Sequence, residues 1–207
     1  LKTKYLIENL QGDTVSTWKS WRIVEGRELT VNIVNSDLVS QDKLDAIKST
    51  ILDTQTIDVD DSLLGKGPAG TTSTYYLGWN GALEKAANYP TKYEIPSKLR
   101  IIDSSKGTGD ITITLTTLQD SDGYSGYTKS ITDGNQILKS SITIYDVDAL
   151  TAEQLSTITR HEFGHALGLA HSTAKEDLMA PSISTPYPFI SDCDIDAVAA
   201  LYDGKKS

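Results

Sequence analysis

The sequence predicts a mixed α/β (α+β) fold in which helices pack on a sheet. Segments with alternating aliphatic residues, typical of strands, are separated along the 207-residue chain by segments with apolar residues at helical spacing. Two further helix patterns with clear start signals follow near the C-terminus. Strands and helices that intermix in this way favour one sheet with helices packed against it.

Four segments predict strands. Leu29–Val34 and Ile111–Leu115 each place every second residue, all of them aliphatic, on one face. Residues 142–144 repeat this pattern over a shorter length, and Leu99–Ile102 is the fourth candidate. The pattern of residues 1–28 indicates no particular element.

Four segments predict helices. Apolar residues recur at helical spacing over residues 44–51 and again over residues 79–87, and the turn-forming residues 65–73 lie between the two. Thr151, followed three residues later by Gln154, is typical of a capping box and predicts a helix that ends at Gly168. A last helix should begin after Ser191 and end near Gly204.

Composition and charge disfavour several classes of protein. Hydrophobic residues make up 38% of the chain and charged residues 23%, as in soluble globular proteins. No apolar run approaches the roughly 18 to 20 residues that a membrane span requires. The net charge of −9 disfavours nucleic acid and anionic membranes, whose phosphates need neutralisation by Lys and Arg. We expect a monomer that binds no nucleic acid and does not span a membrane.

The histidines form the strongest functional pattern. All 3 of them, His161, His165 and His171, lie within one short segment. Residues four apart on a helix share a face, so His161 and His165 could bind one cation. Gly168 tolerates a positive φ and allows a sharp exit from the helix, which would bring His171 to the third ligand position.

This pattern predicts zinc chemistry. Three neutral imidazoles favour zinc and leave a fourth position for a water molecule, whose pKa the metal lowers towards about 7. Glu162 occupies a neighbouring helical position, where it could take the proton of that water and deliver it to a leaving amine. The alternative is three unrelated surface or core histidines beside a solvated carboxylate.

The chain resembles the metzincin metallopeptidases. Residues 161–171 read His-Glu-x-x-His-x-x-Gly-x-x-His, and the Met turn that follows in that family reads Asp-Leu-Met-Ala-Pro over residues 177–181. Met179 is the only methionine. Ser172, the Leu-Met-x-Pro order of the turn and residues 194–202 resemble the matrixin, or matrix-metalloproteinase-like, branch.

The resemblance implies a twisted five-stranded mixed sheet with two long helices and a small C-terminal lobe with a final helix. We therefore expect one catalytic domain over residues 1–207, with an upper lobe of about residues 1–170 and a lower lobe of about residues 171–207. In the family the methionine packs beneath the metal, which assigns Met179 to structural support. The resemblance also implies protein or peptide substrates and an extracellular or cell-surface location.

Three features limit what the resemblance implies. Animal matrixins bind a second, structural zinc through further histidines, and this chain has none to spare, so we expect one zinc. The pocket wall, usually Pro-x-Tyr, reads Pro181-Ser182-Ile183, in which Ile183 gives an apolar wall without the tyrosine hydroxyl. Residues 120–123 (Asp-Ser-Asp-Gly) could bind calcium or form an ordinary Asp-Gly turn.

The sequence favours a zinc endopeptidase with Glu162 as general base. A catalytically silent binding or adhesion module is the main alternative, and the intact Glu162 argues against it. A zinc hydrolase acting on amide bonds outside proteins also stays open. By the resemblance, a peptide substrate would pair with an edge strand within residues 126–131, unless this segment is only a surface loop.

Overall fold

A sheet with helices packed against it organises residue 7 and residues 19–204, which are the residues that this computed structural model describes. The strands in chain order are β1 (Ser20–Trp21), β2 (Leu29–Val34), β3 (Thr56–Asp60), β4 (Thr72–Tyr76), β5 (Leu99–Ile102), β6 (Ile111–Leu115), β7 (Gly126–Asp133) and β8 (Gln136–Ile144). The α-helices of the described residues are α1 (Gln41–Leu52), α2 (Trp79–Ala86), α3 (Ala152–Ala166) and α4 (Asp192–Tyr202).

The main sheet is mostly parallel. Strands β5, β2, β6 and β8 are parallel neighbours in that order, and β1 pairs in parallel with the beginning of β8. Strand β7 pairs antiparallel with the other side of β8 and, within the described part of the chain, with no other strand. Five strands of four residues or more therefore form the sheet that the resemblance implies, and the two-residue β1 extends it.

The predictions for regular elements are confirmed where the sequence has strong periodicity. Strands β2, β5 and β6 have the predicted bounds, and residues 142–144 are the end of the longer β8. Residues 126–131 lie in β7, so this segment is a strand. Strands β3 and β4 form an antiparallel hairpin that was not predicted, because β3 alternates polar and apolar residues over only five positions and Val59 is its one buried residue.

Helices α1 and α3 pack against each other and against the sheet, with α3 over β7 and β8 and α1 near β5. The predicted capping box of α3 is present, since the hydroxyl of Thr151 accepts from the N–H of Gln154 and the Gln154 side chain accepts from the N–H of Thr151. Helix α4 begins with an equivalent box formed by Ser191 and Asp194. The long helices and the final helix of the prediction are thus confirmed.

Two tryptophans join the elements around the end of α3. Trp21 on β1 is 2% exposed, and its Nε1–H donates to the carbonyl of Ala166 at 2.8 Å. Trp79 of α2 is fully buried, and its Nε1–H donates to the carbonyl of Arg160 at 2.8 Å. Trp18 lies outside the described residues. Among the described residues no helix combines the length and apolarity needed to cross a membrane.

Candidate metal centre

Helix α3 places His161 and His165 one turn apart, both buried. The Nδ1 of His161 lies 2.8 Å from the carbonyl oxygen of Leu178, and the Nδ1 of His165 lies 2.7 Å from that of Leu169. A carbonyl oxygen only accepts, so both Nδ1 atoms carry the proton. In the neutral rings, each Nε2 atom therefore presents a lone pair towards the other histidine.

Gly168 turns the chain back towards the two helical histidines, as predicted. Its φ is +110°, and a Cβ at this position would collide with the carbonyl oxygen of Lys19 and the side chain of Leu201. Only glycine fits both the angle and the space. After this turn His171 approaches the helix, and one ring nitrogen from each of the three histidines lies within 4.8 Å of the others.

The donor set fits a zinc ion. The Nε2 atoms of His161 and His165 are 3.0 Å apart, and two facing lone pairs at this distance repel unless a cation lies between them. A zinc ion binds imidazole nitrogens at about 2.0–2.1 Å, which sets neighbouring ligands roughly 3 Å apart. Within the described ranges, these three histidines are the one cluster of at least three potential metal-ligating side chains.

The segment considered for calcium forms a turn. The carboxylate of Asp120 accepts from the backbone N–H groups of Asp122 and Tyr124, and Gly123 has a φ of +79°. These bonds are those of an ordinary Asp-Gly turn. Calcium binding here stays a prediction without support from the structure.

Glu162 is fully buried between the two helical histidines and strand β7. The hydroxyl of Thr128 donates to Oε2 of Glu162 at 2.6 Å. A Cβ at Gly126 would lie 3.0 Å from Cγ of Glu162 and 2.9 Å from the side chain of Ile158, so glycine lets the strand approach the helix. Sequence reasoning placed Gly126 and Thr128 in the substrate-pairing strand but did not predict their contact with Glu162. Their alternate spacing in that strand, which puts both on one face, is the signal that could have indicated it.

The predicted Met turn lies directly behind the histidines. Met179 is 2% exposed, and its Sδ lies 2.6 Å from the position that a Cβ of Gly164 would take. Gly164 therefore gives the methionine its space on α3 between the two helical histidines. The N–H of Ser172 donates to the carbonyl of Met179 at 2.8 Å and closes the turn.

The two predicted pocket-wall residues lie in different surroundings. Pro181 lines a cavity of about 580 Å³ that also borders His171. The side chain of Ile183 is fully buried, and its backbone pairs with Ile7 through hydrogen bonds of 2.8 and 2.7 Å. The structure thus brings Pro181, but not the side chain of Ile183, to the cavity beside the histidines.

Two charged residues are buried near this centre. Arg160 donates to the carbonyls of Leu77 at 2.8 Å and Pro188 at 2.9 Å, and burial lowers the pKa of its guanidinium to about 10. Burial raises the pKa of the Asp194 carboxyl well above its usual range, and the neighbouring Asp177 carboxyl raises it further. Both residues tie the segment after His171 to helices.

Comparison with known proteins places this architecture in a family. Residues 85–203 match the family model of the matrixins. The chain belongs to the matrixin family. Matrixins typically bind zinc, and the histidine triad of this chain fits such a site. The sheet and the helices are consistent with the fold of a matrixin catalytic domain.

Three curated relatives align with short parts of this matrixin. Human matrix metalloproteinase-20 is 47% identical over 55 residues, which are 25% of this chain and 11% of that protein. Probable matrix metalloproteinase 095L of invertebrate iridescent virus 3 is 39% identical over 64 residues, 30% of this chain and 17% of that protein. Matrix metalloproteinase-27 of Tupaia belangeri is 43% identical over 54 residues, 24% of this chain and 10% of that protein. The matched segments thus span less than a fifth of each relative's length.

Proposed function

We propose that this matrixin is a zinc-dependent endopeptidase in which His161, His165 and His171 hold one zinc and Glu162 is the general base. The observation that carries the proposal is the convergence of the three ring nitrogens within 4.8 Å beside a buried carboxylate. Family membership supports peptide bonds as the target. The absence of further histidines in the sequence supports one zinc per chain.

The zinc, when bound, would supply a Lewis acid that acidifies a water molecule and polarises the scissile carbonyl. The chain's own residues prepare the proton transfer. Thr128 orients the Glu162 carboxylate, which accepts the proton of the attacking water and returns it to the leaving amine. The carbonyls of Leu178 and Leu169 fix the tautomer and orientation of the two helical imidazoles.

The segment after His171 serves, in this proposal, as the floor and side wall of the substrate cleft. Met179 supports the helical histidines from below through its contact with Gly164. Pro181 forms part of the pocket wall, and Ile183 anchors that wall by pairing with Ile7. The surface of this pocket is mostly apolar, so we expect the substrate to carry an apolar residue just after the cut bond.

The free edge of β7 is the proposed pairing site for an extended peptide. The N–H of Tyr145 donates to the carbonyl of Ser125, which makes these two a hydrogen-bonded antiparallel pair. Because such pairs alternate along β7 and β8, the backbone groups of Gly126, Thr128 and Ser130 face the free edge. Main-chain pairing there would accept many sequences.

Substrate, assembly and location follow from the same proposal. We propose protein or peptide substrates, a monomer and an extracellular or cell-surface location, since members of this family are generally extracellular. The division into an upper lobe before about residue 170 and a lower lobe after it is part of this proposal. A silent binding module and a hydrolase of other amide bonds are separated from it by one experiment.

That experiment incubates the protein with a denatured protein mixture and maps the cleaved bonds by mass spectrometry. The arms are the untreated protein, the protein with a zinc chelator, and Glu162→Gln, with zinc content measured in each. We expect cleavage by the untreated protein alone, and Glu162→Gln should retain zinc while kcat falls by about 10²- to 10⁴-fold. Zinc-loaded protein that cuts no peptide bond would favour the alternatives, and full activity of Glu162→Gln would exclude this base.

A further inference from the structure

The β3–β4 hairpin lies outside the part of the chain that matches the family model. It lies between α1 and α2, ahead of the matched residues 85–203. Its strands pair over five residues each, and a short helical turn, residues 61–64, follows β3 at its tip. The position of this hairpin next to the proposed cleft raises the question of what its exposed residues contact.

The hairpin is held firmly against the segment after His171. Tyr76 and Ile190 exchange two backbone hydrogen bonds of 2.8 and 3.0 Å, and Tyr75 is 2% exposed. At the tip, the Asp60 carboxylate accepts from the N–H and hydroxyl of Ser62, and Asp61 accepts from the hydroxyl of Ser73. These bonds give the tip a defined position relative to the metal centre.

The tip forms one side of a second cavity that continues the first. This cavity of about 240 Å³ lies between Leu63 and Leu64 on the hairpin and the backbone stretch around Ser184. Lys175 and Ser184 line both this cavity and the cavity of about 580 Å³ that borders His171 and Pro181. A groove therefore leads from the histidines, past the pocket wall, to the hairpin tip.

The tip presents apolar surface at the end of this groove. Leu63 is 66% exposed, although the acidic side chains next to it are used in hydrogen bonds within the hairpin. Covering exposed aliphatic surface with an apolar side chain lowers the free energy, because both surfaces are removed from water. Because the groove is continuous with the proposed cleft, the natural occupant is the substrate chain itself.

We propose that Leu63 and Leu64 form a distal subsite that takes an apolar residue of the polypeptide substrate, on the side of the cut bond that passes Pro181. This inference rests on the proposed endopeptidase function. It adds a specificity determinant that lies outside the residues matching the family model. Long substrates with an apolar residue beyond the pocket would be preferred over short ones.

The experiment compares two peptide series that share the residues around the cut bond. In the short series the peptide ends just past the pocket, and in the long series it continues with one leucine moved along successive positions. Leu63→Ser is the test variant, and Val24→Ser is its control, since Val24 is 73% exposed and lies in the turn before β2. Both variants change an exposed aliphatic side chain, so both should fold, and Tm measurements check this.

We expect kcat/KM to depend on the position of the distal leucine in the unchanged protein. Leu63→Ser should lower kcat/KM for the best long peptide about three- to tenfold and leave the short peptides unchanged. Val24→Ser should match the unchanged protein for both series. Equal kcat/KM of Leu63→Ser and the unchanged protein on every long peptide, or an equal loss on short and long peptides, would overturn the subsite.

The subsite and the proposed function fail in different ways. If the unchanged protein cuts no peptide, the endopeptidase proposal fails, and peptide binding is then measured directly by fluorescence anisotropy. Tighter binding of the long leucine peptides that Leu63→Ser abolishes would still support the subsite. Equal binding of both series would overturn it.

Discussion

The two walls of the metal centre are built in different ways. The upper wall consists of α3 and β7, whose backbone bonds are those of a helix and a sheet. The lower wall, residues 172–191, contains no α-helix and no strand longer than an isolated bridge. Five hydrogen bonds from distant residues hold it instead: two between Ile7 and Ile183, two between Tyr76 and Ile190, and one from Arg160 to Pro188.

This difference separates the roles of the two walls. Helix α3 presents His161, Glu162 and His165 on a rigid repeat, so their relative positions depend on helical geometry. The lower wall depends on contacts that each come from another part of the fold, and it carries the pocket. In the proposed function, chemistry therefore resides on the regular wall and specificity on the irregular one, in line with the way loops on rigid scaffolds carry binding functions.

The junction between the walls should give the largest effect. Gly168→Ala forces a side chain into the space of the Lys19 carbonyl at a φ of +110°. We expect a loss of stability of about 3 kcal/mol or more, because backbone strain and overlap both contribute. Denaturant unfolding and zinc content check this, and Gly134→Ala, which also has a positive φ but meets no atom within 4 Å, is the control. Equal losses in the two variants would show that overlap at the junction is unimportant.

The second prediction concerns the upper wall. Thr128→Val keeps the shape of a buried side chain but removes the hydroxyl that donates to Glu162. We expect kcat to fall about tenfold with little change in KM, because a hydrogen bond to the base is lost. Thr128→Ser should restore activity, and Thr112→Val, which removes another buried hydroxyl on β6, should leave kcat unchanged. An unaltered kcat in Thr128→Val would exclude a positioning role for Thr128.

The third prediction tests the free edge of the upper wall. Ser130→Pro removes a backbone donor that faces the proposed substrate, and proline is tolerated at such edge positions. We expect KM for peptides to rise about two- to tenfold at unchanged zinc content, the value of one hydrogen bond. Ser130→Ala controls for the loss of the hydroxyl contact with Ser140. If KM is the same in both variants, the edge at Ser130 does not bind the peptide.

The smallest effect is expected beneath the lower wall. The pKa of the Asp194 carboxyl is raised in the folded protein, so folding favours the protonated form. The contribution of this carboxyl to the free energy of unfolding is therefore present in acid and is lost as the pH rises towards the raised pKa. Asp194→Asn cannot ionise and keeps an oxygen for the N–H of Ser191. The Tm of Asp194→Asn should exceed that of the unchanged protein by a few degrees near neutral pH, and the difference should shrink in acid. Asp192→Asn, on the exposed side of α4, is the control, and a difference independent of pH would contradict the assignment.

Prediction from sequence succeeded where contacts are local. The capping box of α3 spans four residues, and the alternation in β2 and β6 is read within one strand. The bend at Gly168 also followed from a local property, the freedom of glycine at positive φ. The β3–β4 hairpin escaped prediction because its short strands are mostly polar and bury only Val59 and Tyr75, and its pairing joins residues on either side of a loop.

The sequence by itself predicted which side chains would hold the metal and carry the proton in the proposed function, since the spacing of the three histidines and Glu162 needs only one helix and one turn. The tertiary structure alone decided what surrounds them. Thr128 reaches Glu162 because β7 lies beside α3, and Ile183 turns into the core because Ile7 pairs with it. The physical reason is that helical spacing is set by bonds four residues apart, whereas these contacts join residues 34 and more positions apart.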